Sequence, residues 1–230
     1  MKIYGLQKMT LLDYPQKVAC TVFLGGCDFR CPFCHNFELV TGGASPVMDE
    51  EELFEFLEKR RGLLDGVVFT GGEPCLWSDL FNLIKRTKEL GYLVKLDTNG
   101  YHPEPLEELL EAGLLDYVAM DIKNGIYRYK RTVGLDIIDS SKIKQSISLI
   151  MKKAPDYEFR TTVVREFHDE KSFELIGELI PGAKNYYLQA FTDRDTVPDR
   201  NLSSPTKEEL EKYKKIASAY AKNVEIRGVE

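Results

Sequence analysis

The chain has 230 residues, 37 acidic against 31 basic, for a net charge of −6, and 43% of them are apolar. That length supports one well-buried core but falls a little short of a complete eight-fold barrel. The acidic balance leaves no overall basic footprint for nucleic acid, no apolar run approaches a membrane span, residues 1–14 lack a signal-peptide core, and five cysteines are too few for a disulfide-stapled scaffold, which points to the reducing cytoplasm.

Residues 1–17 read as an extension whose Leu11 and Leu12 look exposed and suited to docking a partner. Val18–Leu24 is the first strand-like run, followed by Gly66–Thr70, Tyr92–Asp97, Tyr117–Asp121, Tyr157–Val164 and Tyr186–Ala190, with a further candidate at Val224–Arg227. Their β-branched and aromatic content suits parallel strands buried on both faces. Helix-like segments alternate with them. Asp49–Arg61 begins acidic, ends basic and stops at Gly62; Ser78–Leu90 closes at Gly91 and Glu104–Ala112 at Gly113. Ser140–Lys153 and Asp169–Ile180 each precede a proline, and Thr206 with Glu209 forms a capping box for a helix through Ala221. Strand and helix in alternation predict right-handed parallel crossovers. The expected fold is an open, partial (β/α)6 barrel of TIM type. With no repeat or linker it forms one domain: extension 1–17, barrel core 18–190, and a C-terminal helix and strand in 191–230.

The loop Gly25–Asn36 carries Cys27, Cys31 and Cys34 in a Cys-x3-Cys-x2-Cys array, followed by His35. Three thiolates on one loop can hold three irons of a cubane cluster and leave the fourth iron open to another ligand. A closed zinc module is the competing reading. It lacks a second paired motif, and Cys20, Cys75 and His35 are poorly spaced to complete it.

In parallel α/β folds, sites lie at the carboxyl ends of strands. The cysteine loop, Thr70-Gly71-Gly72-Glu73-Pro74, Asp97-Thr98-Asn99-Gly100 and Met120-Asp121-Ile122-Lys123 all fall there, with Arg160 in the fifth strand and Gln189 closing the sixth. Gly71 and Gly72 permit close backbone approach to a ligand, or form an ordinary tight turn. Asp97 and Asp121 cap helices and pair with Lys123, or bind a ligand. Arg160 either pairs with Asp121 or contacts cofactor or substrate. Cys20 and Cys75 read as structural, and His168 and the Lys-rich last helix as solvated surface.

The cysteine array with Phe33 before its last member resembles the signature of the radical S-adenosylmethionine superfamily. The longer stretch TLLDYPQKVACTVFLGGCDFRCPFCHN is similar to activating enzymes of glycyl radical enzymes, most of all those of anaerobic ribonucleoside-triphosphate reductase. The resemblance implies a [4Fe-4S] cluster on Cys27, Cys31 and Cys34 with S-adenosylmethionine on its open iron. Gly71, Gly72, Glu73 and Pro74 would serve the methionine amino group. Asp97 and Asn99 would take ribose hydroxyls, or Asp97 and Asp121 a monovalent cation, while Lys123 meets the methionine carboxylate. Phe33, Cys34 and His35 would flank the adenine, with His35 alternatively donating to a cluster sulfide, and Gln189 would meet adenine or peptide. It further implies an oxidoreductase in which no protein residue acts as acid or base. A flavodoxin or ferredoxin would be the electron donor and a glycyl radical enzyme the protein substrate. A radical enzyme acting on a small heterocycle, such as a deazaguanine synthase, is the alternative.

Overall fold

A computed structural model describes residues 1–228; Val229 and Glu230, the end of the predicted C-terminal segment, lie outside the described residues. The expected strands are present as β3 (Ala19–Leu24), β5 (Gly66–Gly71), β6 (Leu93–Thr98), β7 (Tyr117–Asp121), β8 (Tyr157–Val163), β9 (Asn185–Ala190) and β10 (Asn223–Arg227). The sequence reading missed three short strands, β1 (Lys2–Ile3), β2 (Gly5–Thr10) and β4 (Met48–Asp49). The eight-stranded sheet runs β10-β9-β8-β7-β6-β5-β3-β2. Every pair from β3 to β10 is parallel, and β2 joins β3 antiparallel with a bulge between Gln7 and Thr10. β2 and β10 are the two edges, so the barrel is open. The extension therefore includes an edge strand, hidden in sequence by the polar residues that an exposed edge tolerates.

Helices cover the sheet: α1 (Phe37–Thr41), α2 (Glu50–Lys59), α3 (Leu80–Glu89), α4 (Pro103–Glu111), α5 (Ile126–Thr132), α6 (Ser140–Lys153), α7 (Glu170–Gly177) and α8 (Lys207–Ala217). Val67, Val68 and Phe69 on β5, and Val118, Ala119 and Met120 on β7, are fully buried, as parallel strands covered on both faces require. Capping boxes begin α2 at Asp49, α7 at Asp169 and α8 at Thr206. Ser78 does not cap α3, which starts after Asp79 with no side-chain cap bond.

His168 is not on the surface. It is buried, its Nε2 donating to the Lys123 carbonyl at 2.8 Å and its Nδ1 accepting from the Val164 N–H at 3.1 Å. The ring joins the end of β8 to the loop after β7, and burial holds its pKa below the usual histidine value.

Candidate active site

The carboxyl ends of β3 and β5 to β9 meet at a cavity of about 390 Å3. β3 feeds it the cysteine loop, and Cys27, Cys31 and Cys34 all line it as free thiols. Burial pushes the Cys27 thiol up to about 12, helped by the Glu73 carboxylate, and Cys31 up to about 11, against the pull of Lys123. Such thiols stay protonated until a metal displaces the proton. Among the described residues no three His, Cys, Asp or Glu side chains converge to hold a single metal ion. Three thiols spread over one cavity wall fit a multi-iron cluster better than one tetrahedral zinc.

The glycines of β5 serve the cysteine loop directly. A Cβ on Gly71 would lie 2.2 Å from the Leu24 carbonyl oxygen, and one on Gly72 would lie 1.9 Å from that of Gly26. Backbone packs on backbone here, with Gly72 N–H donating to Leu24 and Glu73 N–H to Gly26 at 2.9 and 2.7 Å. Asn36 Nδ2 adds a bond to the Gly71 carbonyl at 3.0 Å.

Glu73 and Pro74 do not line the cavity. The Glu73 carboxylate is buried and accepts from the Cys75 N–H, the Thr98 hydroxyl and the Asn99 N–H at 3.0, 2.8 and 2.6 Å. Its part is to pin the end of β6 against β5. Asn99 Oδ1 accepts from the Tyr101 N–H at 2.8 Å, which turns Nδ2 toward Cys27 Sγ at 3.7 Å. Asn99, expected at the ribose, lines the cavity and reaches the cysteine loop as well.

Asp97, Asp121, Lys123 and Arg160 line the far wall as one ion network. Arg160 reaches Asp121 at 2.9 Å and Asp97 at 3.2 Å; Lys123 pairs with Asp121 at 3.0 Å, and Lys95 with Asp97. Burial alone would raise the Asp121 pKa, but Arg160 and Lys123 outweigh it and hold the carboxyl well below its usual range. Nothing in this geometry supports a monovalent cation at Asp97 and Asp121. Three protein cations already neutralise these carboxylates, and a fourth would meet their repulsion.

Phe33, Gln189 and His35 also line the cavity. His35 Nε2 bonds the Thr192 carbonyl at 2.7 Å and its ring stacks on Phe191, so it ties the cysteine loop to the segment after β9. Sequence reasoning missed Asp13, Thr162 and Arg194 on the cavity wall and Lys95 behind it. For Lys95 a signal existed: a lysine amid the apolar run of a buried strand needs a partner.

The model of the Radical SAM superfamily matches residues 21–179. A Methanocaldococcus jannaschii protein, whose name is provisionally glycyl-radical enzyme activating enzyme, is 35% identical over 99% of this chain and 96% of its own length. The pyruvate formate-lyase-activating enzyme of Clostridium pasteurianum is 34% identical over 54% of this chain and 52% of its own. Among solved structures, Streptococcus suis SuiB bound to S-adenosylmethionine superposes with a TM-score of 0.70 at 11% identity, covering 91% of this chain and 52% of that one. With its cysteine array on the rim of an open parallel sheet and the family match spanning most of its length, the chain belongs to the radical SAM superfamily.

Proposed function

We propose that the chain is an activase of a glycyl radical enzyme, with anaerobic ribonucleoside-triphosphate reductase as its protein substrate. The observation that supports this most is the cavity, which three free thiols, a glycine turn and a neutralised ion network line together. The end-to-end match to an activase-named relative supports the choice of substrate class.

Cys27, Cys31 and Cys34 would hold three irons of a [4Fe-4S] cluster, leaving the fourth for the methionine amino and carboxylate groups. When bound, cluster and S-adenosylmethionine together supply one-electron reductive cleavage and a 5′-deoxyadenosyl radical able to take hydrogen from a glycine Cα. The chain's own residues hold and orient. Gly71 and Gly72 bring the end of β5 within hydrogen-bonding distance of the cysteine loop. Arg160 holds Asp97 and Asp121 in place, and Lys123 and Arg160 together keep Asp121 ionised. Phe33 gives an apolar wall for the adenine, and Gln189 a polar edge. No side chain is required to move a proton.

The test is anaerobic incubation of the reconstituted protein with a reductase, S-adenosylmethionine and dithionite. A glycine-centred radical in the spin resonance spectrum, absent with Cys31→Ala, is expected. Turnover of a small heterocycle without any protein partner would instead assign the small-molecule reading.

A further inference from the structure

We propose that Arg227, on the edge strand β10, is a positioning residue for the cavity and acts on it through Glu158 and Arg160. This rests on the reading that Asp97 and Asp121 flank bound S-adenosylmethionine. Neither Arg227 nor Glu158 lines the cavity. The Arg227 guanidinium lies over the Tyr187 ring, 3.3 Å from its centroid, and reaches past β9 to Glu158 on β8. There it donates to both carboxylate oxygens, at 3.1 and 3.0 Å, while the Tyr117 hydroxyl donates to the same carboxylate at 3.1 Å. Glu158 is 1% exposed, so its charge needs a cation beside it.

The link to the cavity is one shared nitrogen. Arg160 Nη1 stands 3.2 Å from Asp97 and 3.8 Å from Glu158, while its Nε bonds Asp121 at 2.9 Å. Four cations therefore face three carboxylates. Lys95 serves Asp97, Lys123 serves Asp121 and Arg227 serves Glu158, which leaves Arg160 to bridge the two carboxylates of the cavity wall. Without Arg227 the same three carboxylates would share three cations. Asp97 and Asp121 would keep their lysines, and Glu158 would have only Arg160 to turn to. A small shift of Nη1 from Asp97 toward Glu158 makes that exchange. Asp97 would then be held from one side only and lose the fixed geometry that a ligand needs.

Fastening β10 to the sheet does not account for this arrangement. The strand pairs with β9 along all five of its residues, and Val224 is already buried in the core. The charged end of Arg227 is directed instead at a carboxylate two strands away, which borders the network of the cavity.

The probe is S-adenosylmethionine, titrated by calorimetry into the anaerobically reconstituted protein. Arg227→Met is expected to bind it about tenfold more weakly, an ordinary coupling within one network. Glu158→Gln/Arg227→Met is expected to return to within about twofold of wild type, because a neutral amide does not compete for Arg160. Arg227→Lys keeps the charge without the fork; it is expected to fall between and serves if Arg227→Met does not fold. A second readout needs no S-adenosylmethionine. In denaturant unfolding of the reconstituted protein, Arg227→Met is expected to cost less when Asp97→Asn is also present, although the two side chains share no bond. A role confined to β10 predicts additive costs. Unchanged affinity in a folded Arg227→Met, affinity that Glu158→Gln fails to restore, or additive unfolding costs would each overturn the proposal. A wild type that binds no S-adenosylmethionine would instead remove the functional reading beneath it, and the unfolding cycle would still decide the link between Arg227 and Asp97.

Discussion

Arg160 shows how one side chain can hold a site together without touching the chemistry. Its guanidinium is the shared partner of Asp97 and Asp121 and comes within 3.8 Å of Glu158, itself bonded by Arg227. Removing one partner of a buried network strands the others, so Arg160→Met is expected to cost about 3–5 kcal/mol in denaturant unfolding. Lys153→Ala, which breaks an exposed pair with Glu107 and Glu111, is expected to leave the unfolding midpoint unchanged. Asn99 makes a second prediction. Hydrogen bonds to cluster sulfurs stabilise the more negative reduced form, so Asn99→Ala should shift the midpoint potential of the reconstituted cluster downward. An unchanged potential would mean that the 3.7 Å approach to Cys27 has no electronic effect.

At the level of elements, the ends of β5 and β8 decide the most. Gly72 is needed because its Cβ would collide with a backbone oxygen that no rotamer change can move, so Gly72→Ala is expected to lower the thermal midpoint and iron incorporation together. At β8, His168 is buried with a lowered pKa. Its stabilisation is present above the unfolded histidine value of about 6.5 and is lost as pH falls through the lower folded value. His168→Gln should therefore flatten the acid side of the stability profile; a slope equal to wild type would contradict this. The long strands were legible in sequence because their apolar runs are uninterrupted, and the cysteine loop because its spacing has few other uses. β2 was not, since an edge strand tolerates the polar run of Gln7 and Lys8. His168 was misplaced for a related reason: its partners, Lys123 and Val164, are backbone groups that leave no mark on composition. That the Glu73 carboxylate turns inward onto Thr98 and Asn99 is something motif position alone does not reveal.

Across the whole molecule, the fold sends each unusual sequence motif to one rim of an open sheet, and the cavity there is the consequence of strand order rather than of any single residue. Strands in sequential order leave β2 and β10 as free edges and one side of the rim uncovered. A substrate too large to be enclosed can enter such a rim and exclude water itself. The central claim is that this rim carries radical chemistry at Cys27, Cys31 and Cys34. It is tested most directly by anaerobic reconstitution with iron and sulfide, reduction with dithionite, addition of S-adenosylmethionine and assay of 5′-deoxyadenosine. Wild type is expected to form it and Cys31→Ala to form none; a reconstituted, folded wild type that binds S-adenosylmethionine without yielding 5′-deoxyadenosine would contradict the account.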